Sequence, residues 1–135
     1  PDDRPIARDF NNERGFTLIV LLLVLVIIGI LVAVLIPRWA TSRDRAFQAA
    51  MKSDLRNLAT AEELYFSDNA SYTMSLSALS GYRSSQGVVV RIDFSSPGGW
   101  FASASHPASS KQCYLFIGNA LPFGAATAEG QVSCQ

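Results

Sequence analysis

The sequence predicts an α+β membrane protein in which a long N-terminal helix, transmembrane first and amphipathic after, packs on a small antiparallel β-sheet. Three observations predict it. Residues 16–37 form a charge-free block dense in Leu, Val and Ile; residues 38–68 carry apolar side chains at helical spacing on one face; and beyond residue 87 come β-branched and aromatic runs broken by turn signals, with two late cysteines. The expected parts are a leader-like segment 1–15, a transmembrane helix 16–37, an amphipathic extension 38–68 and a β-rich outer domain 69–135.

The apolar block is twenty-two residues long, Phe16 to Pro37, with Thr17 as its only hydroxyl. As a helix it reaches about 33 Å, enough to cross a hydrocarbon core of about 30 Å. A chain of 135 residues leaves too little outside the block to cover such a helix on every face, which argues against a core helix. A cleaved secretory signal has a shorter apolar region, about 7–15 residues, closed by small residues. Here the block closes on Pro37-Arg38-Trp39, with Arg38 at the edge of the span and Trp39 suited to the interfacial aromatic belt.

Charge alone does not orient the span, because Arg4, Arg8 and Arg14 precede it and Arg38, Arg43 and Arg45 follow. Cys113 and Cys134, far from the membrane block, suit a disulfide in an oxidising compartment, two separate buried thiols being the alternative. If bridged, the twenty-residue loop between them adds about 3 kcal/mol by the chain-entropy estimate. The C-terminal domain is therefore expected on the outer side of the membrane, with the N-terminus cytoplasmic.

Past Pro37, where a proline inside a helix predicts a kink or local break, the steps Phe47, Met51, Leu55, Leu58, Glu62, Tyr65 mark one face of an amphipathic helix. Asp68-Asn69 supplies a stop, Asn being able to take the left-handed conformation at a helix end. Residues 70–86 read as a Ser-rich connection with scattered anchors at Tyr72, Met74, Leu76, Leu79 and Tyr82 and one short helical turn. Val88–Phe94 and Trp100–His106 flank the turn residues Ser96-Pro97-Gly98-Gly99 and predict a hairpin; Cys113–Ile117 is a third strand and Gln131–Cys134 a fourth. A sheet laid on the amphipathic helix lets each bury its apolar face.

Little in the chain points to chemistry. His106, the single histidine, has no second imidazole or neighbouring cysteine pair to make a metal site. Asp54, Glu62 and Glu63 sit on the helix, where ion pairs with Lys52 or Arg56 are the ordinary expectation. Gly98-Gly99 lacks phosphate-loop spacing, and the sequon Asn69-Ala70-Ser71 is expected to be accidental. From Arg38 onward eight Lys and Arg face seven Asp and Glu, a near-neutral balance that does not suit nucleic acid. No enzyme activity and no cofactor are expected. Trp100, Phe101, Tyr114, Phe116 and Phe123 are expected mostly in the core, with Leu121-Pro122-Phe123 a candidate outer contact.

The run Arg14-Gly15-Phe16-Thr17-Leu18-Ile19, followed by an apolar helix with Gly29 inside and Pro37 at its end, closely resembles the prepilin signature of type IV pilins and type II secretion pseudopilins. The stretch from Glu62 to Tyr72 and the late cysteine pair fit the same layout. The resemblance implies cleavage between Gly15 and Phe16 and methylation of Phe16. One position departs from it. Where family members that polymerise carry a glutamate, fifth after the cut, this chain has Val20, so it lacks the carboxylate thought to pair with a neighbour's N-terminal amine. Intramembrane contact then falls to apolar packing through Val20 and small residues such as Gly29 and Ala33. A start at Pro1, upstream of the cut, suits an uncut leader.

These departures lead us to expect a non-polymerising, non-catalytic pilin-like subunit that stabilises a larger membrane complex, respiratory or photosynthetic, with other membrane-protein subunits and the lipid bilayer as partners. The alternative is a type IV pilus or type II secretion pseudopilus subunit that self-assembles. In either case Phe16–Ile36 serves contacts in the membrane and the loop between Cys113 and Cys134 serves contacts outside.

Overall fold

The computed structural model describes residues 10–135, with side chains from Gly15 onward; the expected leader lies, but for its last residues, outside the described residues. The chain divides into two compact units, one reaching Ala40 and the other spanning Thr41–Gln135. The first element, α1, is an α-helix over Phe10–Asn69 whose assignment passes through Pro37 without interruption.

In the first unit α1 leaves its apolar side chains uncovered: Phe16, Leu25 and Ile36 are 71%, 61% and 65% exposed. The helix is long and apolar enough there to cross a membrane.

In the second unit the helical spacing does its expected work. Met51, Leu55 and Leu58 are fully buried and join Val90, Ile92, Trp100, Ala102, Ala104 and Leu115 in one core. The helix ends one residue past the expected stop, and the left-handed residue is Ala70 (φ 53°) rather than Asn69. Asn69 stays helical, its side-chain amide donating to the Tyr65 carbonyl at 3.0 Å, while the Ala70 N–H donates to the Phe66 carbonyl at 2.8 Å. This is the single-bond left-handed cap, with alanine where glycine is the usual choice.

The connection to the sheet holds a single 3-10 turn, Leu76–Ala78. It is tied along α1. Leu79 is buried, Tyr72 stacks on Phe66 at 4.7 Å, and the Tyr82 hydroxyl donates to the Asp54 carbonyl at 3.2 Å.

Four strands follow, β1 (Val89–Ser96), β2 (Gly99–Ser105), β3 (Gln112–Gly118) and β4 (Ser133–Cys134), antiparallel in the order β1-β2-β3-β4. All four expected strands are present, with ends moved by one or two residues. Pro97-Gly98 forms the two-residue turn of the first hairpin, closed by Ser96 opposite Gly99. Alternation sends Val90, Ile92, Trp100, Ala102, Ala104, Cys113 and Leu115 into the main core. Phe101, Tyr114 and Phe116 fall on the other face, in a smaller cluster with Ala120 and Ala126. A bulge at Asp93 shifts register between Ile92 and Phe94, and the Asp93 carboxylate accepts from the Ser103 hydroxyl at 2.8 Å.

The cysteines are bridged. Cys113 and Cys134 stand directly opposite each other on β3 and β4 with Cα atoms 4.0 Å apart. Gln112 and Gln135 exchange both backbone hydrogen bonds beside them, so the bridge occupies a non-hydrogen-bonded pair, where opposed side chains are closest.

Candidate assembly site

No feature of the described residues gathers catalytic chemistry. No group of three or more His, Cys, Asp or Glu able to hold a metal occurs among them. His106 stacks on Phe47 with ring centroids 3.9 Å apart and accepts from the Ala108 N–H through Nδ1 at 3.0 Å. It joins helix to sheet within the second unit.

The helix acids depart from expectation. Neither Asp54 nor Glu62 makes the surface ion pair that their spacing to Lys52 and Arg56 suggests; both are buried. Asp54 accepts from the Ser85 N–H at 2.7 Å and from its hydroxyl at 2.8 Å, fastening the end of the connecting segment. One Glu62 oxygen accepts from the Thr73 N–H at 3.1 Å, while the other is buried without a hydrogen-bond partner. Burial pushes the Glu62 carboxyl above its ordinary range, against the pull of the Thr73 bond, and Glu63 adds to the rise. Glu63 itself stays at the surface and accepts from the Tyr72 hydroxyl at 2.9 Å; burial and that bond push Tyr72 up to about 12. Glu62 on the apolar stripe was the sequence signal for these anchors, since a charged residue at a core step needs a partner. Which backbone N–H answers it, eleven residues on, is fixed only by the fold.

The surfaces left for partners are apolar in the first unit. Phe16, Thr17, Val20, Leu21 and Val24 line a shallow surface groove, and Val20 is 41% exposed. Gly29 has open space where a Cβ would stand, so another helix can approach its backbone closely. In the second unit Leu121 is 78% exposed, while Phe123 stacks on Phe101 at 4.2 Å and meets Tyr114 edge-on at 5.5 Å.

Similarity to known proteins includes the same N-terminal stretch. Residues 10–36 match the prokaryotic N-terminal methylation motif. The chain is 46% identical over 69 residues to the type IV wide pilus major component PilA4 of Thermus thermophilus, covering 51% of this chain and 53% of that one. Over about half of its length the chain is thus similar to type IV pilins and to a type II secretion pseudopilin. The type IV major pilin protein PilA of Myxococcus xanthus is 40% identical over 68 residues, covering 50% of this chain and 31% of that one. The type II secretion system core protein G of Pseudomonas aeruginosa is 37% identical over 62 residues, covering 46% and 44%. The match thus spans about half the length of the first of these relatives and less of the others.

Proposed function

We propose that this chain is a structural, non-catalytic subunit of a type IV pilus or type II secretion pseudopilus, held in the inner membrane by its N-terminal helix with the sheet domain on the periplasmic side. The observation that carries this reading is the methylation motif over residues 10–36, and the likeness to proteins named as pilus or secretion-system components supports it. None of those relatives is named as a respiratory or photosynthetic component, so the filament reading takes precedence over the expected accessory subunit. Cleavage falls between Gly15 and Phe16. The exposed helix that follows packs with the helices of other subunits, Val20 contributing dispersion contact in place of charge pairing, Gly29 and Ala33 allowing close approach.

The test is intact-mass spectrometry of the chain in two fractions, filaments sheared from cells and washed membranes. The reading expects a chain beginning at methylated Phe16 in the sheared fraction. A chain retaining residues before Phe16 and found only in a stoichiometric membrane complex would overturn it.

A further inference from the structure

The charges of the second unit are divided between its two ends. Register sets Val89, Ser105 and Gln112 across one end of the sheet and Ser96, Gly99 and Gly118 across the other. The turn that follows Ser105 is fastened to the first helical turns of this unit. His106 stacks on Phe47, Arg43 places its guanidinium carbon 6.0 Å from the centroid of the same ring, and the Ser109 hydroxyl donates to Asp44. Exposed Arg43, Arg45 and Lys111 therefore share this end. The acid between the two arginines is engaged inside the chain. The Ser109 hydroxyl first, with Gln48 and Lys111 after it, holds the Asp44 carboxyl below its ordinary range against desolvation. The exposed acids lie toward the other end. Glu63 and Asp68 belong to the last turns of α1, and Glu129 accepts from the Gly118 N–H at 2.7 Å. Burial and the Glu63 bond push Tyr72 up to about 12, and Glu62 and Glu129 add to the rise, so the helix acids and Glu129 lie near one another. Lys52, Arg56 and Arg91 lie between the two ends.

The positive end is the one nearer the span along the chain. Arg43 and Arg45 come six and eight residues after Pro37, no more than about 9 and 12 Å of helix. The headgroup layer is about 5–8 Å deep on each side of a bilayer, and an Arg or Lys stem carries its charge well away from the backbone, so lipid phosphates fall within reach. The directions of the cations decide between partners. Arg43 and Arg45 leave α1 about 160° apart, and Lys111 stands on the turn bonded to Asp44 between them. Three cations on three sides do not converge on one small anion, whereas a flat, negatively charged surface meets all of them.

We propose that this basic rim binds the anionic phospholipid headgroups of the bilayer that the span crosses. The inference rests on the membrane-anchored reading above and names a partner for its outer domain. The attraction of such a surface for Lys and Arg decays within a Debye length, about 8 Å at physiological salt. From Ser105 to Gly99 the sheet runs about 20 Å, so the acids at the far end stand beyond that range. The membrane attracts one end of the domain without repelling the other.

The experiment uses the full chain in lipid nanodiscs of phosphatidylcholine, alone or with about 30% phosphatidylglycerol. Ser110→Cys, exposed beside Lys111, takes a fluorophore while Cys113 and Cys134 stay bridged, and a trace of lipid carrying a nitroxide on its headgroup quenches it at close approach. Quenching should rise at least about threefold in the discs with phosphatidylglycerol, and about 0.5 M salt should remove the rise. Combining Arg43→Gln, Arg45→Gln and Lys111→Gln should return quenching to the phosphatidylcholine level. Arg43→Lys, Arg45→Lys and Lys111→Arg together should keep the rise, because the charges remain. Inorganic phosphate at about 10 mM and constant ionic strength should leave it unchanged. Equal quenching in the two kinds of disc, a rise that survives the three glutamines, or one lost in the charge-keeping variant would overturn the lipid contact. So would its loss to inorganic phosphate, which would make the partner a free anion. Each of these leaves the membrane-anchored reading standing. A wild-type chain that stays outside the discs would instead sink that reading, and the lipid contact with it.

Discussion

The two units treat the same kind of residue in opposite ways. Leu25 in the first is 61% exposed, whereas Trp100 and Leu55 in the second are fully buried. In the second unit apolar area is removed from water by the chain's own helix and sheet, so its stability is internal. In the first unit the described apolar side chains are uncovered, a surface suited to lipid or to other helices. A mutation therefore reads differently by position: in Thr41–Gln135 it changes folding, and in the span it changes what the chain sits beside.

The sharpest break between the two is truncation of a large apolar side chain in each. Trp100→Ala should destabilise the sheet domain by about 3–5 kcal/mol, seen as a lowered denaturant midpoint for the full chain in detergent. Leu25→Ala should leave that midpoint unchanged. A shift of similar size from Leu25→Ala would mean that the span contributes to the domain's core.

Next in size is the bridge. Cys113→Ser with Cys134→Ser should cost the domain about 3 kcal/mol, because the loop between them regains its freedom in the unfolded chain. Unfolding with and without reductant checks this, and the double variant should be insensitive to reductant. The predicted loss belongs wholly to the second unit, and membrane retention of the variant should match wild type.

A smaller gain is expected at the helix end. Ala70 holds φ at 53°, a conformation that costs an L-residue with a Cβ about 1–2 kcal/mol. Glycine escapes that cost but loses more entropy on folding, so Ala70→Gly should stabilise the domain by about 1 kcal/mol or slightly less. A midpoint lowered by the substitution would show that the Ala70 methyl does more than tolerate the turn.

Both units were legible in the sequence to the extent that a period or a run defines them. The span follows from an uninterrupted apolar block, and the core face of α1 from steps of three and four that end at Leu58 and Tyr65. The first hairpin follows from β-branched and aromatic runs around Pro97-Gly98, and the third strand from the apolar run Cys113–Ile117. Positions set by contact between distant parts were not legible. Asp54 and Glu63 look alike in sequence, two acids on a helix, yet one is buried against Ser85, thirty-one residues away, and the other is exposed. The bulge at Asp93 and the aromatic cluster on the second sheet face likewise depend on register. For the assembly site, the prepilin run is a local motif and reads directly.

The smallest effect tests how far the second unit's self-sufficiency extends to its acids. Glu62 has one oxygen on the Thr73 N–H and the other buried without a hydrogen-bond partner, and its carboxyl is raised above 4.5, by burial first and by Glu63 second. A carboxyl that is harder to ionise folded than unfolded favours the folded state while it is protonated. Its contribution is fully present below the unfolded value near 4.5 and is lost as pH rises through the folded value. Glu62→Gln keeps an acceptor for Thr73 and removes the ionisation. Relative to wild type the variant should gain stability as pH is raised from 4 toward 7, with the two converging at the acid end. Denaturant midpoints across that range report it. A difference that grows toward acid instead would mean that the Glu62 carboxylate is stabilised as an anion in the folded domain, by the Thr73 N–H outweighing burial.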